Sequence, residues 1–234
     1  KRAMEIAAAG SHNLLMLGPP GSGKTMLARA LPSILPQLTF EEAMEVTKIH
    51  SIAGCLDPAR GIVDVRPFRS PHHTASAPAL TGGGAKARPG EVSLAHNGVL
   101  FLDEFPEYSR VALEALRQPL EDGVVTVSRV SNTVTYPARF MLIASMNPCP
   151  CGYYGSKIKQ CKCSPAQIQR YLGRVSGPLV DRIDLQIETD AVPYDSLRGQ
   201  GSPEESSAEV RKRVQQARLI QQKRFEGTGI FANR

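Results

Sequence analysis

The stretch L14-LMLGPPGSGKTMLARA-L31 decides the fold. A short apolar run ends in a glycine-rich turn, and the turn opens directly into a helical pattern. Gly18, Gly23, Lys24 and Thr25 fall in register with G-x-x-x-x-G-K-[ST], and the strand, loop and helix around them are the context that gives that spacing its meaning. Glycines let the backbone curl until successive N–H groups face a phosphate, to which the helix start adds its positive end. The residues of this loop, Gly18, Pro19, Pro20, Gly21, Ser22, Gly23, Lys24 and Thr25, therefore predict a site for ATP: Lys24 for the β- and γ-phosphates, the Thr25 hydroxyl for Mg²⁺. A glycine-rich turn with an accidental Lys-Thr is the bland alternative, and the flanking strand and helix argue against it.

Hydrolysis needs carboxylates. In VLFLDE, four apolar residues run into Asp103 and Glu104, as in a buried parallel strand that delivers two acids at its carboxyl end. Asp103 is expected to hold Mg²⁺ through water and Glu104 to orient and deprotonate the attacking water. A third apolar run, RFMLIASMN, ends in Asn147, whose amide suits positioning of that water; a strand-terminal turn residue is the alternative. With IDLQIE further on, these runs predict an α/β fold around a parallel sheet whose ligands sit at the strand ends. Between them, Thr39 and Glu42 form a capping box, Ser109 caps a helix RVALEALRQPL, and Ser164-Pro165 opens AQIQRYLGRV. VVTVSRVSNTVTY alternates and breaks at Ser131-Asn132, as a β-hairpin does. The stretch from Gly54 to Pro89 reads as a long functional loop, VPYDSLRGQGSPE as a linker, and the segment from Pro203 to Phe225 as a helix capped by Ser202.

Composition narrows the class without choosing it. The chain has 234 residues, 41% of them hydrophobic, enough to bury a real core. No apolar run approaches the ~18 residues of a membrane helix, and the first residues lack the pattern of a signal peptide, so no membrane partner and a cytoplasmic location are expected. The formal charge of +6 permits a polyanionic partner without pointing to one.

Four of the five cysteines lie in CPCGYYGSKIKQCKC, from Cys149 to Cys163. In a reducing compartment a disulfide rarely persists. Two C-x-C pairs, Cys149/Cys151 and Cys161/Cys163, can bring four thiolates around one Zn²⁺ at ~2.3 Å, with the P-C-G and Y-Y-G segments turning the chain. Zinc is the favoured reading; reduced packed thiols, redox pairing and an iron–sulfur cluster stay open beside it. Cys55 stands apart as an ordinary thiol. His72 and His73 invite a metal, but adjacent histidines usually point different ways, so packing or a pore contact is expected instead. The basic run RKRVQQAR reads as a solvated helix face.

Taken together, KRAMEIAAAGSHNLLMLGPPGSGKTMLAR, RPFRSPHHTAS, GEVSLAHNGVLFLDEFPE, LRQPLEDG, MNPCPCGYYG, RYLGRVSGPLVDRIDL and SSAEVRKRV resemble the AAA+ ATPases of the magnesium-chelatase-like ComM/YifB family over almost the whole chain. The resemblance implies a P-loop NTPase three-layer sandwich with a helix-2 insert around LTGGGAKARPG, a presensor β-hairpin at VVTVSRVSNTVTY, and the start of a C-terminal helical lid. It divides the chain into an ATPase core at 1–192, a linker at 193–203 and the beginning of the lid at 204–234, an ATPase module taken from a longer protein. It also implies a hexameric ring acting on single-stranded or branched DNA as a branch-migration helicase in natural transformation. The alternative is a chelatase-type subunit remodelling a protein or a metal-insertion complex; a nucleotide-dependent assembly switch is a third class, against which Asp103, Glu104 and Asn147 argue. A ring motor needs an arginine delivered to the neighbour's γ-phosphate, and by motif this is Arg182, with Arg170 and Arg174 in reserve and local pairing with Asp181 or Asp184 as the alternative. Lys86, Arg88 and Arg129 lie on the presumed pore elements, where they either touch phosphates or are solvated loop charges.

Overall fold

A computed structural model describes residues 1–59, 61–84, 86–128, 133–156, 159–190 and 205–228. The chain divides into two compact units, one formed by residues 1–36, 144–174 and 183–234, the other by residues 37–143 and 175–182.

Along the chain, α1 (Arg2–Gly10) leads into β1 (Leu14–Leu17) and, after the glycine-rich loop, α2 (Lys24–Ala30). The capping box expected at Thr39 is present: its hydroxyl accepts from the Glu42 N–H at 3.2 Å, and the Glu42 carboxylate accepts from the Thr39 N–H at 2.9 Å, opening α3 (Phe40–Ala53). Glu42 also holds Arg66, whose guanidinium donates to the carbonyl of Asn97 at 2.7 Å.

The stretch read as one long loop is more structured than its composition suggests. It contributes β2 (Phe68–Arg69), α4 (Ala77–Thr81) capped by the Ser76 hydroxyl, and the two-residue ladder β3 (Gly82–Gly83) with β4 (Arg88–Pro89). Then α5 (Glu91–Leu94) precedes β5 (Val99–Leu102), every residue of which is buried.

The helix expected from Ser109 is two helices. Ser109 caps α6 (Arg110–Glu114) as predicted, but α7 (Arg117–Asp122) starts afresh. Pro119 explains the break: it has no N–H to continue the ladder, and its ring would collide with the carbonyl of Ala115 in an unbroken helix.

The hairpin is β6 (Val124–Ser128) against β7 (Thr133–Pro137), with Val125 opposite Tyr136; its turn at Ser131-Asn132 and Arg129 lie outside the described residues. β8 (Met141–Met146) is buried throughout. Ser164 caps α8 (Pro165–Leu172) in a second capping box with Gln167, and α9 (Gly177–Val180) and β9 (Leu185–Glu188) follow.

The last helix begins later than expected. α10 (Ser207–Arg224) takes its cap from Ser206, whose side chain accepts from the Glu209 N–H; the expected cap, Ser202, lies outside the described residues, as do the predicted linker and the final GIFANR. α10 packs on α1: Arg218 donates to the carbonyl of Ala8 at 3.0 Å and the buried Gln221 to that of Ala9 at 3.1 Å.

The sheet has five strands in the order β2-β5-β8-β1-β9. β1 pairs in parallel with β9, Leu14 opposite Leu185, and β2 in parallel with β5, Phe68 opposite Val99. The sequence indicated four of these strands and missed β2. No helix among the described residues is long and apolar enough to cross a membrane.

Candidate nucleotide site and cysteine cluster

In the first unit the glycine-rich loop grows out of β1. Gly18 donates to the carbonyl of Met146 at 3.2 Å, and a Cβ on it would stand 2.1 Å from the Thr189 hydroxyl. That hydroxyl lies 3.0 Å from the Ser22 hydroxyl, so the end of β9 braces the loop. Next comes a tight turn: Ser22 N–H reaches the Pro19 carbonyl at 3.4 Å, with Pro20 and Gly21 between them and Gly21 at φ +77°. Proline first and a left-handed glycine second is the type II pattern. Gly23 repeats the left-handed conformation at φ +79° as the cap of α2. Alternation of this kind aims successive N–H groups at one anion.

Lys24 is 8% exposed. Its ammonium donates to the Gly18 carbonyl at 2.8 Å, the Pro19 carbonyl at 2.9 Å and the Ser22 hydroxyl at 3.2 Å, which satisfies a charge that burial would otherwise penalise. Thr25 sits half-buried in the first turn of α2, and Asn147 half-buried just beyond β8.

In the second unit, Asp103 and Glu104 follow β5 as expected. Glu104 adopts the left-handed conformation, φ 53° and ψ 45°, and its N–H donates to the Asp103 carboxylate at 3.0 Å. Its own carboxylate lies 2.9 Å from His73 Nδ1. The two histidine rings do not diverge as expected: their centroids are 4.1 Å apart, and Tyr108 meets His73 edge-on at 6.5 Å while its hydroxyl donates to the Pro71 carbonyl at 2.6 Å. His73 thus partners an acid rather than packing idly. No local pattern announces it, because the contact depends on β2 lying beside β5.

Arg182 pairs with the Glu121 carboxylate of α7 and donates to the Pro178 carbonyl at 2.7 Å. Arg170 and Arg174 are exposed on and after α8, the latter 5.9 Å from the Tyr171 ring. Lys86 and Arg88 are exposed beside and within β4.

The four cysteines of the first unit converge. Their Sγ atoms all lie within 4.8 Å of one another, with Cys149 to Cys151 at 3.3 Å, Cys149 to Cys161 at 3.7 Å and Cys151 to Cys161 at 3.6 Å. Thiolates on a tetrahedral zinc at ~2.3 Å stand ~3.8 Å apart, so the set fits that ion. Backbone donors supply the support expected around such sulfurs: the Tyr154 N–H points at Cys149 and the Cys163 N–H at Cys161. The Lys162 and then the Tyr153 backbone N–H hold the Cys151 thiol down at about 6. For Cys161 the Cys163 N–H pulls the same way, but burial and the neighbouring thiols outweigh it and push it up to about 12. Among the described residues this is the only cluster with metal-ligand character, and Cys55 is an exposed thiol elsewhere.

A family model described as magnesium chelatase, subunit ChlI, matches residues 1–197. The competence protein ComM of Haemophilus influenzae is 52% identical over 233 residues, covering 100% of this chain and 45% of that protein. An uncharacterized protein YifB of Salmonella typhimurium is 54% identical over 214 residues, 92% of this chain and 42% of its own. The 67 kDa magnesium-chelatase subunit of Chlorobaculum parvum is 31% identical over 130 residues, 55% of this chain and 18% of that subunit. The chain thus spans less than half the length of the relatives it matches.

Proposed function

The chain belongs to the magnesium-chelatase family of AAA+ ATPases, on its ComM/YifB-like side, and from that premise we propose that it is the ATP-hydrolysing module of a cytoplasmic, ring-forming DNA-remodelling motor. The observation that carries the reading is the glycine-rich loop itself, left-handed at Gly21 and Gly23 with the Lys24 ammonium drawn onto its carbonyls. In this reading the loop from Gly18 to Thr25 binds the triphosphate, and Lys24 neutralises its β- and γ-oxygens. Thr25 and Asp103 would hold Mg²⁺, which when bound would neutralise charge on the phosphates. Glu104 takes the proton of the attacking water and Asn147 orients it. Arg182 leaves Glu121 to act on the neighbouring subunit's γ-phosphate, which makes a hexamer the working unit.

Residues 1–192 form the ATPase core, 193–203 a linker and 204–234 the start of a helical lid. Cys149, Cys151, Cys161 and Cys163 hold one structural Zn²⁺; the sulfur separations support that assignment. The test of the motor is ATPase activity of the full-length protein with and without single-stranded and branched DNA. Stimulation by DNA is expected. Turnover indifferent to every DNA would overturn the DNA reading in favour of a chelatase-type subunit remodelling a protein or a metal-insertion complex, the alternative that the match to a Chlorobaculum magnesium-chelatase subunit supports.

A further inference from the structure

The turn that carries the cysteines touches the turn that carries the phosphates. Gly152 follows Cys151 directly, and its N–H closes a turn onto the Cys149 carbonyl at 2.9 Å. Its φ is +83°, and a Cβ there would meet Cδ of Pro20 at 2.6 Å and Cγ of Pro20 at 2.9 Å, with Cγ of Asn147 at 3.8 Å. Only a glycine backbone approaches that closely. Pro20 is the residue that sets the Pro19–Ser22 turn, and the Pro19 carbonyl accepts both from the Ser22 N–H and from the Lys24 ammonium. An unbroken path of contacts therefore runs from the sulfurs through Gly152 and Pro20 to the phosphate-binding lysine.

We infer that the cysteine knuckle positions the nucleotide loop: a metal on the four thiolates and a triphosphate on the loop bind cooperatively, with Gly152 against Pro20 as the coupling contact. The inference rests on the zinc reading and adds to it. A free knuckle of two C-x-C arms samples many arrangements, and each displacement of Gly152 moves the Pro20 ring. Closing the arms on one ion selects the arrangement in which the Pro19 carbonyl faces Lys24. Linkage is reciprocal, so a ligand on the loop must tighten the metal by the factor by which the metal tightens it. Gly152 is in this sense a positioning residue, since it touches neither phosphate nor metal ligand atoms.

The test uses the reduced full-length protein and a non-hydrolysed fluorescent ATP analogue. Zinc-loaded protein is expected to bind the analogue at least about tenfold more tightly than the same protein stripped by a chelator, and saturating analogue should lower the zinc dissociation constant, read from equilibrium competition with a chromogenic chelator, by the same factor. Because stripping can unfold the knuckle, Gly152→Ala supplies a variant with all four cysteines intact. It should keep one equivalent of zinc yet lose about tenfold in analogue affinity, and Gly152→Ala with Pro20→Ala should recover part of that loss because the ring it strikes is gone. A merely structural glycine would not be rescued from Pro20. Zinc-loaded Gly152→Ala that binds the analogue as wild type does, or stripping that leaves affinity unchanged, overturns the coupling while zinc itself stands. A folded, reduced wild type that purifies without zinc overturns the metal reading and the coupling with it.

Discussion

The phosphate loop and the turn after β5 solve one geometric problem in opposite ways. Both reverse the chain at a strand end through the left-handed region. The loop assigns that conformation to Gly21 and Gly23, whereas the turn assigns it to Glu104 at φ 53°, one of four non-glycine residues with positive φ among the described residues. Where the backbone itself does the binding, a side chain is dispensable and glycine removes the strain. Where the side chain is the reagent it must stay, and the fold bears a left-handed penalty of about 1–2 kcal/mol. Strain at Glu104 is thus what the proposed role of its side chain would require, whereas a left-handed glycine leaves only its peptide N–H to act.

Deleting side chains and perturbing backbone should therefore fail differently. The largest effect is expected from Lys24→Ala in the full-length protein: nucleotide binding drops below detection by equilibrium titration, and a variant that binds normally would remove the lysine from the site. Arg182→Ala should bind nucleotide but lose about 10³-fold or more in turnover. Mixing it with Lys24→Ala should restore part of the activity, since each subunit supplies what the other lacks; no recovery on mixing would place Arg182 outside the trans role. Glu104→Gln should keep nucleotide affinity and lower kcat by about 10²–10⁴-fold, read from single-turnover rates, and normal turnover would remove it as the base.

A paired substitution tests the comparison itself at smaller scale. Nothing lies within 4 Å of a Cβ built on Gly21, so Gly21→Ala meets no clash and should still cost about 1–2 kcal/mol in thermal stability through φ alone. Glu104→Gly should gain about 1 kcal/mol while abolishing turnover. Equal and opposite Tm shifts would confirm that the two turns differ only in who bears the strain; a destabilised Glu104→Gly would show that the His73 contact outweighs it.

The smallest effect is a pH dependence seated in the second unit. Burial pushes His96 down from its usual range, and its Nδ1 accepts from the Arg139 N–H, so the folded ring is neutral. The bond from His96 holds the Glu45 carboxyl below its own usual range. Both groups take up protons more readily when unfolded, so the stability they contribute is fully present above about pH 6.5 and declines as pH falls below it. A loss of about 1 kcal/mol or less between pH 7 and 5, seen as ~2–4 °C in Tm, is expected, and His96→Gln should flatten it.

What could be read from the sequence was what local chemistry decides. The phosphate loop needs glycines at fixed offsets, Thr39 and Ser164 cap helices with partners three residues away, and β5 is apolar throughout, β8 at all but Ser145, because both faces are covered. What escaped was decided by partners distant in sequence. β2 is two residues long and exists because β5 lies beside it; without β2 there is no reason to bring His73 to Glu104. The rupture between α6 and α7 was legible at Pro119, since a proline three residues into a second helix cannot belong to the first. Gly152 against Pro20 was invisible, because glycine carries no pattern that names what it is close to.

α10 closes the last turn of α1 from the far end of the sequence: Arg218 and Gln221 occupy the carbonyls of Ala8 and Ala9, and Arg218 also reaches the Ser11 hydroxyl. Those are carbonyls a helix end leaves open. Ser11 is the left-handed residue at which α1 stops, and two residues later Asn13 anchors to Asp184 before β1 begins. In mechanical terms α10 is a handle. A load that drags it is delivered to the end of α1, and from there along a three-residue tether to the root of β1, the strand that leads into the loop ahead of Lys24.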